Sequence, residues 1–396
     1  MKKYLIITLS ILLFLISCQN QNPAQEIQVG GVTQKQFSDQ FFLMDTVVNI
    51  KIFSKQNPTK LLKETKKIMN EDEKRFDRHN PESEISLLNK DRKIFTEYDK
   101  LYDLIFKSSI IDTATNGYFC VKLGKLLEFW NPAGKKYEEF PYNPESFRSS
   151  IFAGKIFQEE LKPPMPTIPD IPKAQTSLKG DFLLELGGIA KGYIIDYGYY
   201  YLKANGIKAG LINAGGDVLV WGGKYKRTGC WTVGIQVPNK PQGTFDYIVK
   251  LKDGAVTTSG DYERFFYVGD KKFHHIINTR TMLPSDQAHS VTVIIDKPVF
   301  LFTMSSQQKA IQMGNSKYVN NISEEQVKQF NFPLLATEAD ALSTAIMCMP
   351  KEEARKFCNE NNIKAIIYER DMNVFISAPL KNSKKIKLER KNNADK

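Results

Sequence analysis

Residues 182–217 read FLLELGGIAKGYIIDYGYYYLKANGIKAGLINAGGD, and this stretch decides the class of fold. Phe182–Leu186 has the apolar content of a strand and runs into a Gly187-Gly188 turn. Ile189–Asn205 has the spacing of an amphipathic helix, and it stops before Gly206, a residue type common just after helices. Ala209–Asn213 predicts a second strand that ends in another double-glycine turn. The stretch therefore joins strands and a helix through tight turns.

Outside this stretch, predicted strands outnumber predicted helices. Apolar patterning predicts strands at Phe41–Phe53, Val218–Trp221, Trp231–Gln236, Tyr247–Leu251, Tyr262–Val268, Phe273–Ile277 and Ser290–Ile295, and a closing hairpin of Lys364–Tyr368 with Val374–Ser377. Helical periodicity predicts helices at Pro58–Phe76, Leu101–Thr115, Leu123–Trp130, Glu338–Met349 and Glu352–Glu360. Because hairpins are common, we predict an α+β fold of mixed, largely antiparallel sheets with packed helices, and not a doubly wound parallel sheet.

The N-terminus resembles a bacterial lipoprotein signal. Lys2 and Lys3 precede the apolar residues 4–16, which are too few to span a bilayer comfortably, and Ser17-Cys18 follows. We predict a signal peptide over 1–17, lipidation of Cys18, a flexible linker over 18–37 and a lipid-anchored protein of the cell envelope that faces the periplasm or exterior. An ordinary secretory signal that happens to contain a cysteine is the alternative.

One domain is predicted over residues 38–380, with a surface excursion at 131–180 and an insertion at 297–335. The net charge is +11, but residues 381–396 hold seven Lys/Arg against two acidic residues and so supply +5 of it. We predict a solvated basic tail there and no nucleic-acid partner. The remaining cysteines (Cys120, Cys230, Cys348 and Cys358) form no CxxC pair and are predicted to be free thiols.

Five short clusters combine glycines or small hydroxyl residues with one or two charges. They are Phe76–Asn89, Glu185–Tyr193, Asn213–Asp217, Thr257–Arg264 and Ala339–Ala345. Such sequences let a backbone approach a phosphorylated ligand closely, with a metal ion nearby. Together the clusters indicate an enzyme that binds a nucleotide.

The cluster Ala339–Ala345 is a candidate metal site. Asp340 and Thr344 are spaced i, i+4 and share one face of the predicted helix, with Ser343 beside them. A carboxylate with hydroxyl oxygens suits Mg²⁺ or Ca²⁺. The alternative is a helix N-terminus with polar capping residues.

The other clusters each allow two interpretations. Lys191 and the amides that follow Gly187-Gly188 suit a phosphate, or they form a tight connection with a solvated lysine. Thr257–Gly260 is either a phosphate-binding nest or a hairpin turn. The pair His274-His275 is either a ligand contact or acid/base, or it is structural.

The ordered set of motifs resembles the ApbE family, the FAD:protein FMN transferases. The resemblance covers residues 40–350 in family order and rests on Met44–Thr46, Phe76–Asn89, Gly117–Trp130, Glu185–Tyr193, Asn213–Asp217, Thr257–Arg264, His275–Pro284 and Asp340–Thr344. It implies an envelope enzyme that uses Mg²⁺, or Ca²⁺ or Mn²⁺ in its place, and takes FAD as substrate. The enzyme would attach FMN to a threonine or serine hydroxyl of a target protein, typically a membrane redox subunit, and release AMP.

The resemblance also implies roles for individual residues. The metal shell would consist of Asp340, Ser343, Thr344 and the Gly188 carbonyl, and His275 would be the acid/base. Contacts to FAD would come from Met44, His79, Phe119, Cys120, Glu185, Lys191 and Ile277.

The sequence departs from the family pattern at several of these positions. His79 stands where Tyr is frequent, Cys120 and Glu185 stand where Asp is usual, and Ser343 replaces an Asp found in some members. Asn278–Met282 replaces the usual Asp-Pro-x-Thr-Gly. Two other functions therefore remain as alternatives to FMN transfer. The protein could hydrolyse FAD to FMN and AMP, or it could be a lipoprotein that binds flavin without catalysis.

Overall fold

The computed structural model describes residues 26–29, 32–97, 100–130, 144–161, 173–223, 229–268, 271–300 and 333–391. The predictions for the signal peptide, for Cys18 and for most of the 297–335 insertion lie outside these ranges. Within them, no helix combines the length and the apolar character needed to cross a membrane.

Every strand pairing among the described residues is antiparallel, and helices pack against the sheets, which confirms the predicted class. The strands are β1 (Glu26–Val29), β2 (Val32–Leu43), β3 (Thr46–Ser54), β4 (Lys93–Glu97), β5 (Lys155–Leu161), β6 (Lys173–Lys179), β7 (Ala209–Ala214), β8 (Asp217–Trp221), β9 (Trp231–Gln236), β10 (Phe245–Leu251), β11 (Gly254–Gly260), β12 (Phe265–Val268), β13 (Lys271–His274), β14 (Ile277–Asn278), β15 (Leu283–Pro284), β16 (Ala288–Ile295), β17 (Lys364–Glu369), β18 (Val374–Ile376) and β19 (Lys387–Arg390). The main sheet has the order β1-β2-β3-β7-β8-β11-β16-β17-β18, and every neighbouring pair in it is antiparallel.

The helices lie close to their predicted bounds. They are α1 (Thr59–Phe76), α2 (Glu84–Asp91), α3 (Lys100–Ala114), α4 (Gly124–Phe129), α5 (Pro144–Ala153), α6 (Ala190–Ala204), α7 (Leu335–Cys348), α8 (Lys351–Glu360) and α9 (Ala378–Lys381). Of these, α2 and α9 were not predicted. The Ser83 hydroxyl accepts from the Ser86 amide at the start of α2, an N-cap inside the cluster Phe76–Asn89.

The centre of the main sheet is buried on both faces. Leu219 and Trp221 of β8 belong to the large core that also contains α6 and α7, whereas Val218 and Val220 belong to a second core with β9 and β10. Successive side chains of a strand point to opposite faces, so a strand covered on both sides is apolar throughout. This explains the uninterrupted apolar run of Val218–Trp221.

The helices α6 and α7 pack unusually close at one point. A Cβ atom on Gly192 of α6 would lie 2.2 Å from the Ala336 carbonyl oxygen, so only glycine fits there. One turn further along α6, the buried Asp196 accepts hydrogen bonds from the amides of Ala336 and Thr337 and from the Thr337 hydroxyl. These bonds cap the N-terminus of α7 and fix its position against α6.

Several strand predictions were wrong. Tyr262–Val268 is a strand only over β12, and Phe273–Ile277 is divided between the end of β13 and the start of β14. Phe41–Phe53 is not one strand, because Met44 and Asp45 both have a φ of 55° and reverse the chain between β2 and β3. Phe182–Leu186 is not a strand, because its partners are not an adjacent strand: the Asn89 side chain bonds both the amide and the carbonyl of Leu184.

Three further segments differ from their predicted form. Thr257–Gly260 is neither a turn nor a nest but the second half of β11. The segment 18–37, predicted as a linker, contains β1 and the start of β2. The predicted tail 381–396 contains β19, which pairs with β10 and is therefore not a free basic end.

Two further predictions concern the excursion 131–180 and the closing hairpin. In the excursion 131–180 the predicted short helix is present as α5, and β5 and β6 form a sheet with β4. The closing hairpin is confirmed as β17 and β18.

Candidate active site

The N-terminus of α6 brings three of the sequence clusters together. The Lys191 ammonium lies 2.6 Å from one carboxylate oxygen of Asp217, which follows the double-glycine turn after β7. The other oxygen of Asp217 accepts from the Thr258 amide at 3.0 Å. Clusters far apart in sequence thus meet at one buried carboxylate, and the position of Lys191 is determined by an ion pair rather than by solvent.

Asp340 joins the same site from α7. Its carboxylate accepts from the Gly192 amide at 2.9 Å, and its side chain is buried. Desolvation, and then the charge of Asp217, raises the pKa of Asp340, while Lys191 acts in the opposite direction. A buried carboxylate close to another negative charge is stabilised by binding a proton or a cation.

The local charge is negative. Glu263, whose side chain reaches solvent, also interacts with Lys191 and Asp217; partial desolvation and then Asp217 raise its pKa, while Lys191 and Arg264 act in the opposite direction. At Lys191 itself desolvation acts to lower the pKa, but Asp217, Asp340 and Glu263 outweigh it and raise the pKa. Three carboxylates around one ammonium leave an excess of negative charge when all are ionised.

A chain of hydroxyl groups lies beside Asp340. Ser343 donates to the Asp340 carbonyl oxygen at 2.9 Å, so its oxygen must accept from the Ser259 hydroxyl 2.8 Å away. Ser259 then accepts from the Thr344 hydroxyl at 3.2 Å. The partly exposed Thr344 keeps its lone pairs for another partner, whereas Ser343 is fully buried.

Gly188 lies directly against Thr344 of α7. A Cβ atom there would be 3.3 Å from the Thr344 methyl carbon and 3.4 Å from the Phe119 ring. The predicted metal ligands Gly188 and Thr344 and the predicted flavin contact Phe119 are therefore neighbours. Among the described residues no three His, Cys, Asp or Glu side chains are grouped to hold a metal ion. Asp340 is the only carboxylate of the predicted shell.

Glu185 has a partner that the sequence did not indicate. Its carboxylate pairs with the Nε of Arg78, whose Nη1 lies 3.1 Å from Glu128, and it also accepts from the Gly187 amide at 2.8 Å. These contacts hold the glycine turn in place. Next to Arg78, the predicted flavin contact His79 has an exposed side chain.

Cys120 is partly exposed beside the buried Phe119. Desolvation, and then the charge of Asp112, raises the pKa of the Cys120 thiol to about 12. The thiol therefore stays neutral and is a poor nucleophile at neutral pH.

The hairpin tip between β2 and β3 approaches the site from the other side. The Met44 amide donates to the Glu73 carboxylate, and Asp45 lies 3.0 Å from the Arg264 guanidinium. His275 Nδ1 lies 3.2 Å from the Arg264 carbonyl oxygen. Because a carbonyl only accepts, this contact places the hydrogen on Nδ1 and leaves a lone pair on Nε2.

The two adjacent histidines differ. His274 is buried and its Nε2 lies 2.6 Å from the Ser285 carbonyl oxygen, a structural contact. The side chain of His275 reaches solvent. Partial desolvation of its ring and the charges of Arg264, His274 and Lys191 lower its pKa, while the bond to the Arg264 carbonyl acts in the opposite direction. A neutral His275 within electrostatic range of Lys191 can accept a proton.

The loop after His275 is well bonded. Ile277 is buried and its carbonyl accepts from the Cys348 thiol at 3.4 Å. Asn278 accepts from the Arg280 amide and donates to the Cys348 carbonyl, and Thr279 donates to the Gly117 carbonyl. Met282, where the family usually has glycine, has a φ of 59°.

The sequence identified most members of this site but missed others. Asp217 and Ser259 lie within recognised clusters, yet their partners are far apart in sequence and only folding reveals them. Arg78 and Glu263 also lie within recognised clusters, but they were not singled out, because a charged residue in a polar segment is usually solvated.

The family model and the relatives that match this chain point to one family. A family model described as the ApbE family matches residues 44–310. The chain is 25% identical over 268 residues to the FAD:protein FMN transferase of Treponema pallidum, which is 65% of this chain and 73% of that protein. It is also 25% identical over 297 residues to the FAD:protein FMN transferase of Vibrio cholerae, 73% of this chain and 82% of that protein.

Solved structures show the same fold. The crystal structure of the ApbE protein from Thermotoga maritima superposes with a TM-score of 0.67 at 24% identity, covering 87% of this chain and 98% of that one.

We expect Lys191→Met to lower the melting temperature more at pH 8 than at pH 5. Without the ammonium, the pKa of Asp340 rises further above its unfolded value, and such a group loses stability as pH rises from the unfolded to the folded pKa. A deficit of about 3 °C at pH 8 and a clearly smaller one at pH 5 is expected. Lys125→Met, which removes an exposed lysine paired with Asp181, is the control. Equal deficits at both pH values would mean that Lys191 acts through packing alone.

Proposed function

This chain belongs to the ApbE family, and we propose that it transfers FMN from FAD to a threonine or serine hydroxyl of a target protein, with release of AMP. The observation that carries the proposal is the meeting of Lys191, Asp340 and the Thr344 hydroxyl at the start of α6. The relatives named FAD:protein FMN transferase support the same activity.

We propose that Mg²⁺ binds at Asp340 and Thr344, with Ser343 and the Gly188 carbonyl as the other protein ligands. The buried carboxylate of Asp340, the excess of negative charge and the free lone pairs of Thr344 fit a hard cation. With one carboxylate in the shell, weak binding is expected, and Ca²⁺ or Mn²⁺ would fit the same oxygens. Bound there, the ion would neutralise charge that builds on the pyrophosphate.

The residues of the chain have separate tasks in the proposed reaction. Lys191 attracts the phosphates, while Met44, His79, Phe119, Cys120, Glu185 and Ile277 surround the flavin nucleotide. His275 Nε2 accepts the proton of the incoming hydroxyl. The hydroxyl oxygen then bonds to the phosphorus of the FMN half, the pyrophosphate bond breaks, and AMP leaves with its phosphate.

A transfer assay tests the proposal. The purified protein is incubated with FAD, Mg²⁺ and an acceptor domain that carries a threonine flavinylation sequence, and the acceptor is weighed by intact mass spectrometry. We expect a gain of one FMN that disappears with EDTA and with Asp340→Asn, which can still accept from the Gly192 amide. Calorimetry should give weaker Mg²⁺ binding to this variant. Asp371→Asn, an exposed change in the hairpin β17–β18, is the control.

The other outcomes distinguish the alternatives. Free FMN and AMP without a mass gain would replace the transferase by an FAD pyrophosphatase. Flavin binding that is indifferent to EDTA, with no AMP, would leave a flavin-binding protein without catalysis.

His275→Asn should lower kcat by about 100-fold and change the KM for FAD little, because it removes a base rather than a contact. Since the base acts when it is neutral and its pKa is lowered, the wild-type rate should stay flat from pH 7 to pH 8. The comparison is His79→Asn, which should mainly raise KM. If His275→Asn raised KM at constant kcat, His275 would be only a binding residue.

We also propose that the protein is anchored by lipid at Cys18 in the bacterial cell envelope, where it modifies a membrane redox subunit. The support is the sequence of residues 2–25. Cys18→Ser should move the protein from the membrane fraction to the soluble fraction, and an unchanged distribution would refute the anchor.

A further inference from the structure

A cavity lies apart from the candidate active site, between the end of α8, α9 and the chain at residues 296–297. Its volume is about 440 Å³, within the range of small-molecule sites. The lining residues are Asp296, Lys297, Asn359, Asn362, Lys364, Ala378, Pro379, Asn382, Ser383, Lys384 and Lys385. None of them belongs to the proposed flavin or metal site, and the lining contains no aromatic or long aliphatic side chain.

Positive charge dominates the lining. Lys364 is buried and its ammonium lies 2.6 Å from the Asp296 carboxylate, so this pair is neutral as a whole. The other three lysines, Lys297, Lys384 and Lys385, face no second carboxylate in the lining. Like charges around one concave surface repel each other, and a bound anion removes this repulsion.

Two polar side chains of the wall, Asn359 and Ser383, have donors left for a ligand. The Asn359 side-chain oxygen accepts from the Ala378 amide at 2.9 Å, which leaves its NH₂ group to donate. The Ser383 oxygen accepts from the Ile386 amide at 3.0 Å, which leaves its hydroxyl hydrogen to donate. Both side chains use their accepting ends within the protein.

Three carbonyl groups at the end of α8 are already paired within the chain. In the last turn of α8, carbonyl groups accept from the amides of Asn361, Asn362 and Ile363. These carbonyls are therefore paired within the chain and do not present free acceptors. The ammonium groups of the three lysines and the donors of Asn359 and Ser383 are available to a ligand.

We propose that this cavity binds a phosphate-bearing anion. Phosphate oxygens accept several hydrogen bonds at once and carry the charge that three lysines would neutralise. The cavity is larger than a single phosphate, so the ligand would be a phosphorylated small molecule or the headgroup of an anionic phospholipid. The inference does not depend on the proposed flavin transfer.

The test compares two double variants of the full chain. Lys297→Gln with Lys384→Gln removes two exposed charges from the cavity, and Lys60→Gln with Lys240→Gln removes two exposed charges elsewhere. Pyrophosphate binding is measured by calorimetry without divalent cations. We expect the cavity variant to bind about tenfold more weakly and the control to stay within about twofold of the wild type. Melting temperatures and flavin transfer should be unchanged in both variants.

A second arm identifies the source of the phosphate. Co-sedimentation of both variants, each combined with Cys18→Ser to remove the proposed anchor, is measured with phosphatidylcholine vesicles that contain or lack phosphatidylglycerol. Loss of pyrophosphate binding in the cavity variant alone would support a soluble ligand. Loss of binding to the anionic vesicles alone would support a lipid headgroup. If the cavity variant and the control behaved alike with both probes, the proposal would be overturned.

Discussion

The close contact of α6 with α7 is the constraint on which the site depends. The absence of a side chain at Gly192 lets the Ala336 carbonyl approach, and Asp196, one turn later on α6, binds the first amides of α7. Each such bond to a helix N-terminus contributes about 1 kcal/mol. The same contact places Asp340 within 2.9 Å of the Gly192 amide and sets Lys191 at the edge of the site. A shift of either helix would therefore separate the proposed metal ligands from the proposed phosphate contact.

The repulsion among the charges of this site destabilises the protein without ligands and favours the binding of a cation. Asp217, Asp340 and Glu263 surround one ammonium group, and desolvation raises the pKa of Asp340 and Glu263. Negative charge of this kind repels a bare pyrophosphate, so a cation and a nucleotide would each favour the binding of the other. Such linkage follows whenever one ligand removes the repulsion felt by the other. Lys191 alone does not remove this repulsion, because its ammonium is already paired with Asp217.

Local sequence patterns predicted most of the helices and strands. The structure differed from prediction where a turn lacks glycine and proline or where the partner of a segment is distant in the sequence. The helix α7 and its i, i+4 pair Asp340 and Thr344 could be identified because helical spacing is local. The turn at Met44-Asp45 was missed because neither residue is glycine or proline, yet both adopt a positive φ. The segment Phe182–Leu186 has the composition of a strand, but the Asn89 side chain takes the place of a strand partner. No local signal reveals such a partner.

The departures from the family pattern preserve shape more than charge. Asn278 replaces an acid, yet its side-chain oxygen still accepts from the Arg280 amide and closes the turn. Met282 takes the left-handed conformation that glycine adopts more easily, and its buried side chain packs beside Trp130, whose indole donates to the Met282 carbonyl. Cys120 is neutral, so a negative charge is lost where the family usually has one. Because the ion-pair network of Lys191, Asp217 and Asp340 is intact, the electrostatics of the site depend on that network, while the substituted positions determine the shape of the surrounding loops.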